Sequence, residues 1–473
     1  MRDSRTVVIV LLAMTSCALG FLVAWDGRLG VAVLAVIGMA AWIAFSIICP
    51  RAVLIGTVYL VLIAGTKFRM RDPAASLGGQ IDSQIVFELL LYGVLAATIA
   101  IVCQSRPPRA PWRSTLSMWG LVAFGGLALL STTWSATPPL TAVRAIQLII
   151  LAALARMLTS RLTPAECIAA IRVAIVLYVC VAGATAATFS WAEGTLEEPG
   201  FTRFSWFAVH PVTAATDAGL ACLLSLSAVL FGRPSGALNR VVLWGSVIVL
   251  AMILVQTHSR GPLLALVAGT AALGAARLRL RTRGLVIATA LLAVSVVFVA
   301  TELESWLTRL EDSNSLLASQ LMRGQTSEQF MSLTGRTELW TAAAAVARDH
   351  WLIGLGYQAS RTALLNIYTW AGYAHNAFLQ TVLDLGVLGG LLLWPSIFGS
   401  IFATARTAWS IDPIRRDTGA MLFALGVFLA ANALTSESFA AAPGFELLLV
   451  FSLAFAANEL RGSDVSAVVA AKK

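Results

Sequence analysis

The stretch QIVFELLLYGVLAATIAIVC, residues 84–103, carries a single charged side chain, Glu88. As an α-helix rising about 1.5 Å per residue it reaches about 30 Å, the thickness of a bilayer's hydrocarbon core. It does not alternate apolar and polar residues, as a strand of a transmembrane barrel would. Comparable runs recur along the whole chain, at 7–25, 29–48, 52–66, 84–103, 116–131, 140–157, 167–189, 212–231, 241–257, 262–276, 285–301, 377–402, 418–434 and 443–458. Several are short, so the expected fold is an all-α polytopic integral membrane protein with 12–14 transmembrane helices. Composition agrees. Of 473 residues 58% are hydrophobic and 12% charged, against about 25% charged in a soluble chain. So little charge cannot clothe a water-facing surface of this size.

The first run, Val7 to Trp25, follows Arg2 and Arg5 and has the outline of a signal peptide. It is long for a signal and the next run begins almost at once, so it reads as a retained helix. The six cysteines lie in or beside apolar runs with no CxxC spacing, which argues for small hydrophobes rather than disulfides or a zinc site. The net charge of +9 is spread over short loops. That speaks against a nucleic-acid face, which would need a basic patch.

Topology accounts for the charge better. With the N-terminus in the cytoplasm and strict alternation, the cytoplasmic side receives Arg2, Arg5, Arg51, Arg106, Arg109, Arg113, Arg156, Arg161, Arg172, Arg233 and Arg240. It also receives Arg277, Arg279, Arg281, Arg283, Arg406, Arg415, Arg416, Arg461, Lys472 and Lys473. These are 21 of the 33 basic residues, joined by 6 of the 24 acids, so that side carries +15 and the remainder −6. The bias is a strong positive-inside signal. It places both termini inside and divides the chain into N-terminal helices (1–301), one large external loop (302–375), and C-terminal helices with a short cytoplasmic tail (376–473). Within the loop, Thr337 to Trp351 has helical spacing, and Gly354-Leu355-Gly356 breaks it.

Charged groups at a membrane are costly and default to functional candidates. On the external side these are Arg203 and His210, Arg260, Arg336, Arg348 and His375. Singly, each has a plainer role. Arg260, held in Thr257-His258-Ser259-Arg260-Gly261-Pro262, suits a lipid phosphate. Arg203, among Phe201, Phe204 and Trp206, suits an interfacial anchor, and His375 suits a helix cap. Together they mean more. Guanidinium groups from separate loops at one surface suit a pyrophosphate, which they grip in bidentate fashion. A neutral imidazole beside them can take a hydroxyl proton near neutral pH. No paired external aspartates suggest a metal-held phosphate.

The stretches Gly335-Arg336-Thr337-Glu338-Leu339-Trp340, Leu352-Ile353-Gly354-Leu355-Gly356 and His375-Asn376, followed after nine residues by Gly386-Val387-Leu388-Gly389, resemble the bacterial O-antigen ligase and polymerase superfamily. Ser259-Arg260-Gly261 looks like its upstream arginine motif, and Asp384 falls where the family usually has an acid. Arg203 with His210-Pro211 is similar to its preceding external-loop arginine, although Val212 stands where many members have Asn. The likeness covers roughly Phe201 to Leu393. It implies a GT-C-like helical glycosyltransferase in the bacterial inner membrane with its active site facing the periplasm. The donor would be a glycan on undecaprenyl pyrophosphate. The acceptor would be lipid A-core or a similar glycolipid for a ligase, and another lipid-linked repeat unit for a polymerase. Neither nucleotide sugar nor metal or other cofactor is implied.

The reading that follows is an inverting, metal-independent transfer. Arg203 and Arg260 hold the pyrophosphate with Arg336 as a third contact, and His375 is the base. Asn376, His210 and Asp384 support them, Asp384 by orienting the catalytic helix or pairing with a nearby base. The rival is a transporter or flippase of lipid-linked glycan, which needs charges along a midplane path. Glu88, Arg144 and Asp217 lie nearer the outer helix ends, which favours the enzyme. The topology predicts that a cysteine placed at Ser313 reacts with an impermeant thiol reagent in intact spheroplasts. Reaction only after lysis would overturn it.

Overall fold

The computed structural model describes residues 42, 50–66, 83–105, 115–192, 194, 196–198, 201–232, 236–278, 336–368 and 371–471. The α-helices are α1 (Pro50–Ala64), α2 (Ser83–Ser105), α3 (Leu116–Leu130), α4 (Pro138–Arg161), α5 (Pro164–Thr188), α6 (Pro211–Leu230) and α7 (Ala237–Gln256). They continue with α8 (Arg260–Arg277), α9 (Arg336–Asp349), α10 (Ser360–Ile367), α11 (Ala377–Ala408), α12 (Pro413–Ala433) and α13 (Phe445–Ala471). The chain is an all-α polytopic membrane protein. Among the described residues, strand structure is confined to a short antiparallel ribbon, β1 (Leu196–Glu198) with β2 (Phe201–Arg203), pairing Leu196 with Arg203.

Among the described residues seven helices, α2 to α7 and α11, are long and apolar enough to cross a membrane, and α1 is a shorter apolar helix. Segments 7–25 and 285–301, 29–48 apart from Trp42, and 302–335 of the long loop lie outside the described residues. Helices α8, α12 and α13 coincide with expected segments but are less apolar. They pack against other helices of the bundle, α8 on α12 and α6, α12 on α11, and α13 on α4 and α11. In α8 the buried face is mostly small residues, Ala265, Gly269, Ala272, Ala275 and Ala276, while charged residues lower the hydropathy of α12 (Arg415, Arg416, Asp417) and α13 (Glu446, Glu459, Arg461).

Helix starts follow local chemistry. Proline occupies the first turn of α4, α5, α6 and α12, where its missing N–H costs no hydrogen bond. Thr163 and Glu166 form a capping box on α5, and the Asn376 side chain accepts from the N–H groups of Phe378 and Leu379 to start α11. Four arginines of the inferred cytoplasmic set share one end of the bundle. Arg161 donates to the Val102 carbonyl at 2.9 Å and Arg461 to that of Gly399 at 3.1 Å. Arg415 reaches Leu460 and Arg156 faces Glu459. The candidate site lies at the other end.

Helix α11 determines how that end is built. Its 32 residues would run about 48 Å if straight, and the 21 residues of α12 run about 32 Å. Yet the two helices meet at both ends, for the chain turns directly from Ala408 to Pro413 and Asn376 Nδ2 reaches the Leu434 carbonyl at 3.3 Å. The excess of roughly 16 Å is absorbed at Gly386, whose φ of 65° and ψ of −168° break the helix. Two helical hydrogen bonds are lost there and replaced from the segment 351–356. Leu355 and Gly356 donate to the carbonyls of Leu383 and Asp384 at 2.9 and 2.8 Å, and Val387 and Leu388 donate to those of Trp351 and Leu352 at 2.7 and 3.2 Å. The contact is backbone on backbone. A Cβ on Gly386 would lie 2.2 Å from the Leu352 carbonyl carbon and oxygen, and one on Gly354 2.4 Å from those of Asp384. Gly386→Ala is therefore expected to destabilise the purified protein by about 2 kcal/mol or more, since left-handed strain of about 1–2 kcal/mol adds to the clash. Gly93→Ala, where a Cβ meets nothing within 4 Å, should be neutral or slightly stabilising. Thermal midpoints read by tryptophan fluorescence check both.

Candidate active site

The site end is assembled from five chain segments. The ribbon delivers Arg203, which is buried. Its Nε donates to the Thr257 carbonyl at 3.1 Å and its Nη2 to Ser259 Oγ at 2.9 Å. Ser259 Oγ in turn donates to the Pro211 carbonyl at 3.3 Å. Arg203 thus ties the start of α6, just after His210, to the turn that presents Arg260 as the first residue of α8. His210 is exposed, and its Nδ1 accepts from the Val212 N–H.

The connection between α12 and α13 collects the rest. Arg336, at the start of α9, donates from Nη1 to the Thr435 carbonyl at 2.8 Å, and Gly261 abuts the Thr435 side chain. Asn376 reaches Leu434, as above. His375 Nδ1 lies 2.9 Å from Glu437 Oε2, each side chain 25% exposed. Burial works to raise the Glu437 pKa. The hydrogen bond to His375 and its charge, the Glu437 backbone N–H and the charge of His210 outweigh it and hold the carboxyl at about 2. Arg336 is lowered, first by burial and further by Arg203, against the pull of Glu437. Arg203, His210, Arg336, His375 and Glu437 therefore belong to one electrostatic neighbourhood. Arg260 joins it through its backbone, between Ser259 and Gly261. Arg348 lies at the far end of α9 from Arg336.

Backbone strain gathers here as well. The non-glycine residues with left-handed φ among those described are Phe207, Ala208, His258, Gln358, His375 and Ser438. Five of them stand within two or three residues of His210, Arg260, His375 or Glu437, or are one of these. Such conformations cost about 1–3 kcal/mol each and cluster at functional sites.

Asp384 lies apart from the base. Its carboxylate accepts from Ser360 Oγ at 2.5 Å, Ser360 N–H at 3.3 Å and Gln380 Nε2 at 3.1 Å. These bonds fasten α10 to the front half of α11. Its bonds go to serine and glutamine rather than to a basic residue. Glu437 is the residue that sequence reasoning missed. The available signal was a lone carboxylate in Thr435-Ser436-Glu437-Ser438, between two apolar runs. Without knowing that His375 meets it, nothing separated it from other loop acids.

Residues 245–394 match the family described as O-antigen ligase. The match covers 150 of the 473 residues and supports the O-antigen ligase superfamily. The matched stretch of the O-antigen ligase family runs from within α7 into α11. It contains Arg260, Arg336, His375, Asn376 and Asp384 and leaves Arg203, His210 and Glu437 outside it. The family supports a membrane protein that transfers glycan, in the manner of O-antigen ligases and polymerases. No curated protein matches the chain.

The His375–Glu437 pair has a measurable pH signature. Glu437 has its pKa depressed from 4.5 to about 2 in the folded protein. Its contribution to stability is therefore complete above about pH 4.5 and is lost as pH falls towards 2. The thermal midpoint of the wild type should fall more steeply than that of Glu437→Gln between pH 5 and pH 3, scanned in the same detergent. Parallel curves would show that the pair does not exist in solution.

Proposed function

We propose that the chain is an inverting glycosyltransferase that moves a glycan from undecaprenyl pyrophosphate to an acceptor hydroxyl at the periplasmic face of the inner membrane, in the manner of an O-antigen ligase. The observation that carries the reading is the His375–Glu437 pair set among arginines. A carboxylate on Nδ1 selects the tautomer with Nδ1–H and puts the basic lone pair on Nε2.

Nε2 takes the acceptor hydroxyl proton as the oxygen attacks the anomeric carbon. The bond from that carbon to the pyrophosphate oxygen breaks with its electron pair leaving on the phosphate. Configuration inverts because the displacement is single and in line. Glu437 offsets the charge of the imidazolium that forms. Arg203, Arg260 and Arg336 offset the charge on the departing undecaprenyl pyrophosphate, a role in which preorganised donors count for most in a water-poor site. The reading calls on no metal, since the guanidinium groups supply the positive charge. Asn376 holds the start of α11, His210 adds positive field at Glu437, and Asp384 keeps the short front helix in place.

His375→Ala should lower turnover by roughly 10²–10⁴-fold, the usual range for acid–base catalysis, while binding of lipid-linked donor survives. Arg203→Ala and Arg260→Ala should instead weaken donor use, and Arg260→Lys should fail to restore it, because lysine lacks the planar fork. The assay is formation of a glycosidic bond and release of undecaprenyl pyrophosphate by monodisperse protein. The choice of acceptor, lipid A-core or a second lipid-linked repeat, distinguishes ligase from polymerase, and movement of lipid without bond formation would mark a flippase. Near-normal turnover in folded His375→Ala would remove the catalytic assignment.

A further inference from the structure

A second polar cluster stands within electrostatic reach of Tyr373, two residues before His375, and the reaction above leaves it without a role. Glu88 and Arg144, in the second turns of the membrane-spanning helices α2 and α4, form an ion pair. Gln147 links them, accepting from Arg144 Nη1 and donating to Glu88 Oε1, both at 2.9 Å. Charges inside membrane-spanning helices are expensive and tend to be retained for function. These two are not sealed, for Glu88 is 19% and Arg144 18% exposed.

The connection between α12 and α13 shows where this cluster lies. Along it, Thr435 takes Arg336, Glu437 takes His375, Ala440 and Ala441 take the Gln358 amide at 2.7 and 3.0 Å, and Pro443 takes Tyr92 Oη at 2.6 Å. The loop thus leads from the arginines, past the base, to the face of α2 that bears Glu88 and Tyr92. Tyr373, two residues before His375, is within electrostatic reach of Arg144, and Arg361 lies over its ring at 5.4 Å.

A second observation points to a ligand. Tyr357 is 3% exposed, and its hydroxyl is buried with no hydrogen-bond partner among the described residues. Its backbone is pinned by Ser131 and Thr141. Its side chain stands within electrostatic reach of Asp384, Arg144, Tyr92 and Tyr373. A buried, unsatisfied hydroxyl costs about 1–3 kcal/mol and is expected to find a partner when a ligand is bound.

We infer that Glu88, Arg144, Tyr92, Tyr357 and Tyr373 line the subsite for the acceptor glycan, next to the base and away from the pyrophosphate; the inference rests on the transferase reading above. The chemistry favours sugar over phosphate. The cluster is neutral overall and Glu88 would repel a pyrophosphate. Its carboxylate, guanidinium and phenols offer mixed donors and acceptors for hydroxyl groups.

The experiment uses the full-length protein in detergent, a lipid-linked glycan as donor and lipid A-core as the acceptor probe. Tyr357→Phe removes only a hydroxyl that has no partner among the described residues, so a purely structural residue would leave acceptor saturation unchanged and stability unchanged or raised, since an unsatisfied buried hydroxyl is lost. The subsite requires the half-saturating acceptor concentration to rise about 3- to 10-fold, the worth of one hydrogen bond, with that of the donor within about twofold. Glu88→Gln should exceed the phenylalanine variant in the same direction. Unchanged acceptor saturation in folded Tyr357→Phe, or equal shifts for donor and acceptor, would overturn the subsite while transfer by the wild type still upholds the transferase. If the wild type forms no glycosidic bond, the transferase reading fails by itself. Tryptophan quenching by lipid A-core or by the delipidated repeat-unit oligosaccharide then decides the subsite. Binding weakened in Tyr357→Phe upholds a glycan pocket, and no binding of either probe to the wild type overturns it.

Discussion

A helix packed inside a membrane protein cannot be broken unless the hydrogen bonds it loses are made elsewhere. The break of α11 at Gly386 is the constraint on which the site end depends. The segment 351–356 makes good both lost bonds, and it fits only because Gly354 and Gly386 present no Cβ to each other's backbone partner. One consequence is that the chain before the break, carrying His375 and Asn376, turns back to meet the end of α12 instead of running on past it. Another is that the helices of the long loop, α9 and α10, are fastened to the membrane bundle, so Arg336 and Tyr357 are held in place by it.

The connection between α12 and α13 then acts as the common floor. Its carbonyls and its single charged side chain between Leu434 and Gly444 receive residues from α2, α9, the turn before α10, and the start of α11. Several of these contacts are made by residues in left-handed conformations, His375 and Gln358 among them, with Ser438 in the floor itself. Strain of this kind persists only where surrounding contacts over-determine it. The floor is thus both the scaffold that orders the functional groups in space and the source of Glu437.

Electrostatics divides the site end into two regions of different character. Arg203, Arg336 and His210 stand near Glu437, with Glu446 within electrostatic reach of that carboxylate, and these positive groups suit an anion. Glu88 and Arg144 cancel each other and leave a hydrogen-bonding surface of phenol, amide and ion pair. His375 bonds to Glu437 in the first region, and Tyr373, two residues before it, is within electrostatic reach of Arg144 in the second. That arrangement matches what a transfer between a charged leaving group and a neutral nucleophile requires, since the base has to face the acceptor while the cations face the donor.

Much of this architecture was legible in the amino-acid sequence because membrane solvation is a local, additive property. A run such as residues 84–103 has no alternative but a helix, and proline at helix starts and asparagine at position 376 act on their nearest backbone neighbours. The candidate arginines and His375 could be singled out for the same reason, as charges beside apolar runs and within motifs whose spacing resembles a known family. The break at Gly386 was visible only as a glycine in that spacing, and its meaning depends on the backbone of residues 351–356. Glu437, the placement of Asp384 on Ser360, and the meeting of Glu88 with Arg144, 56 positions apart, belong to the tertiary structure alone. No local pattern decides which of several loop acids faces a histidine 62 positions away. That choice falls to helix packing and to the requirement that every buried polar group find its partner.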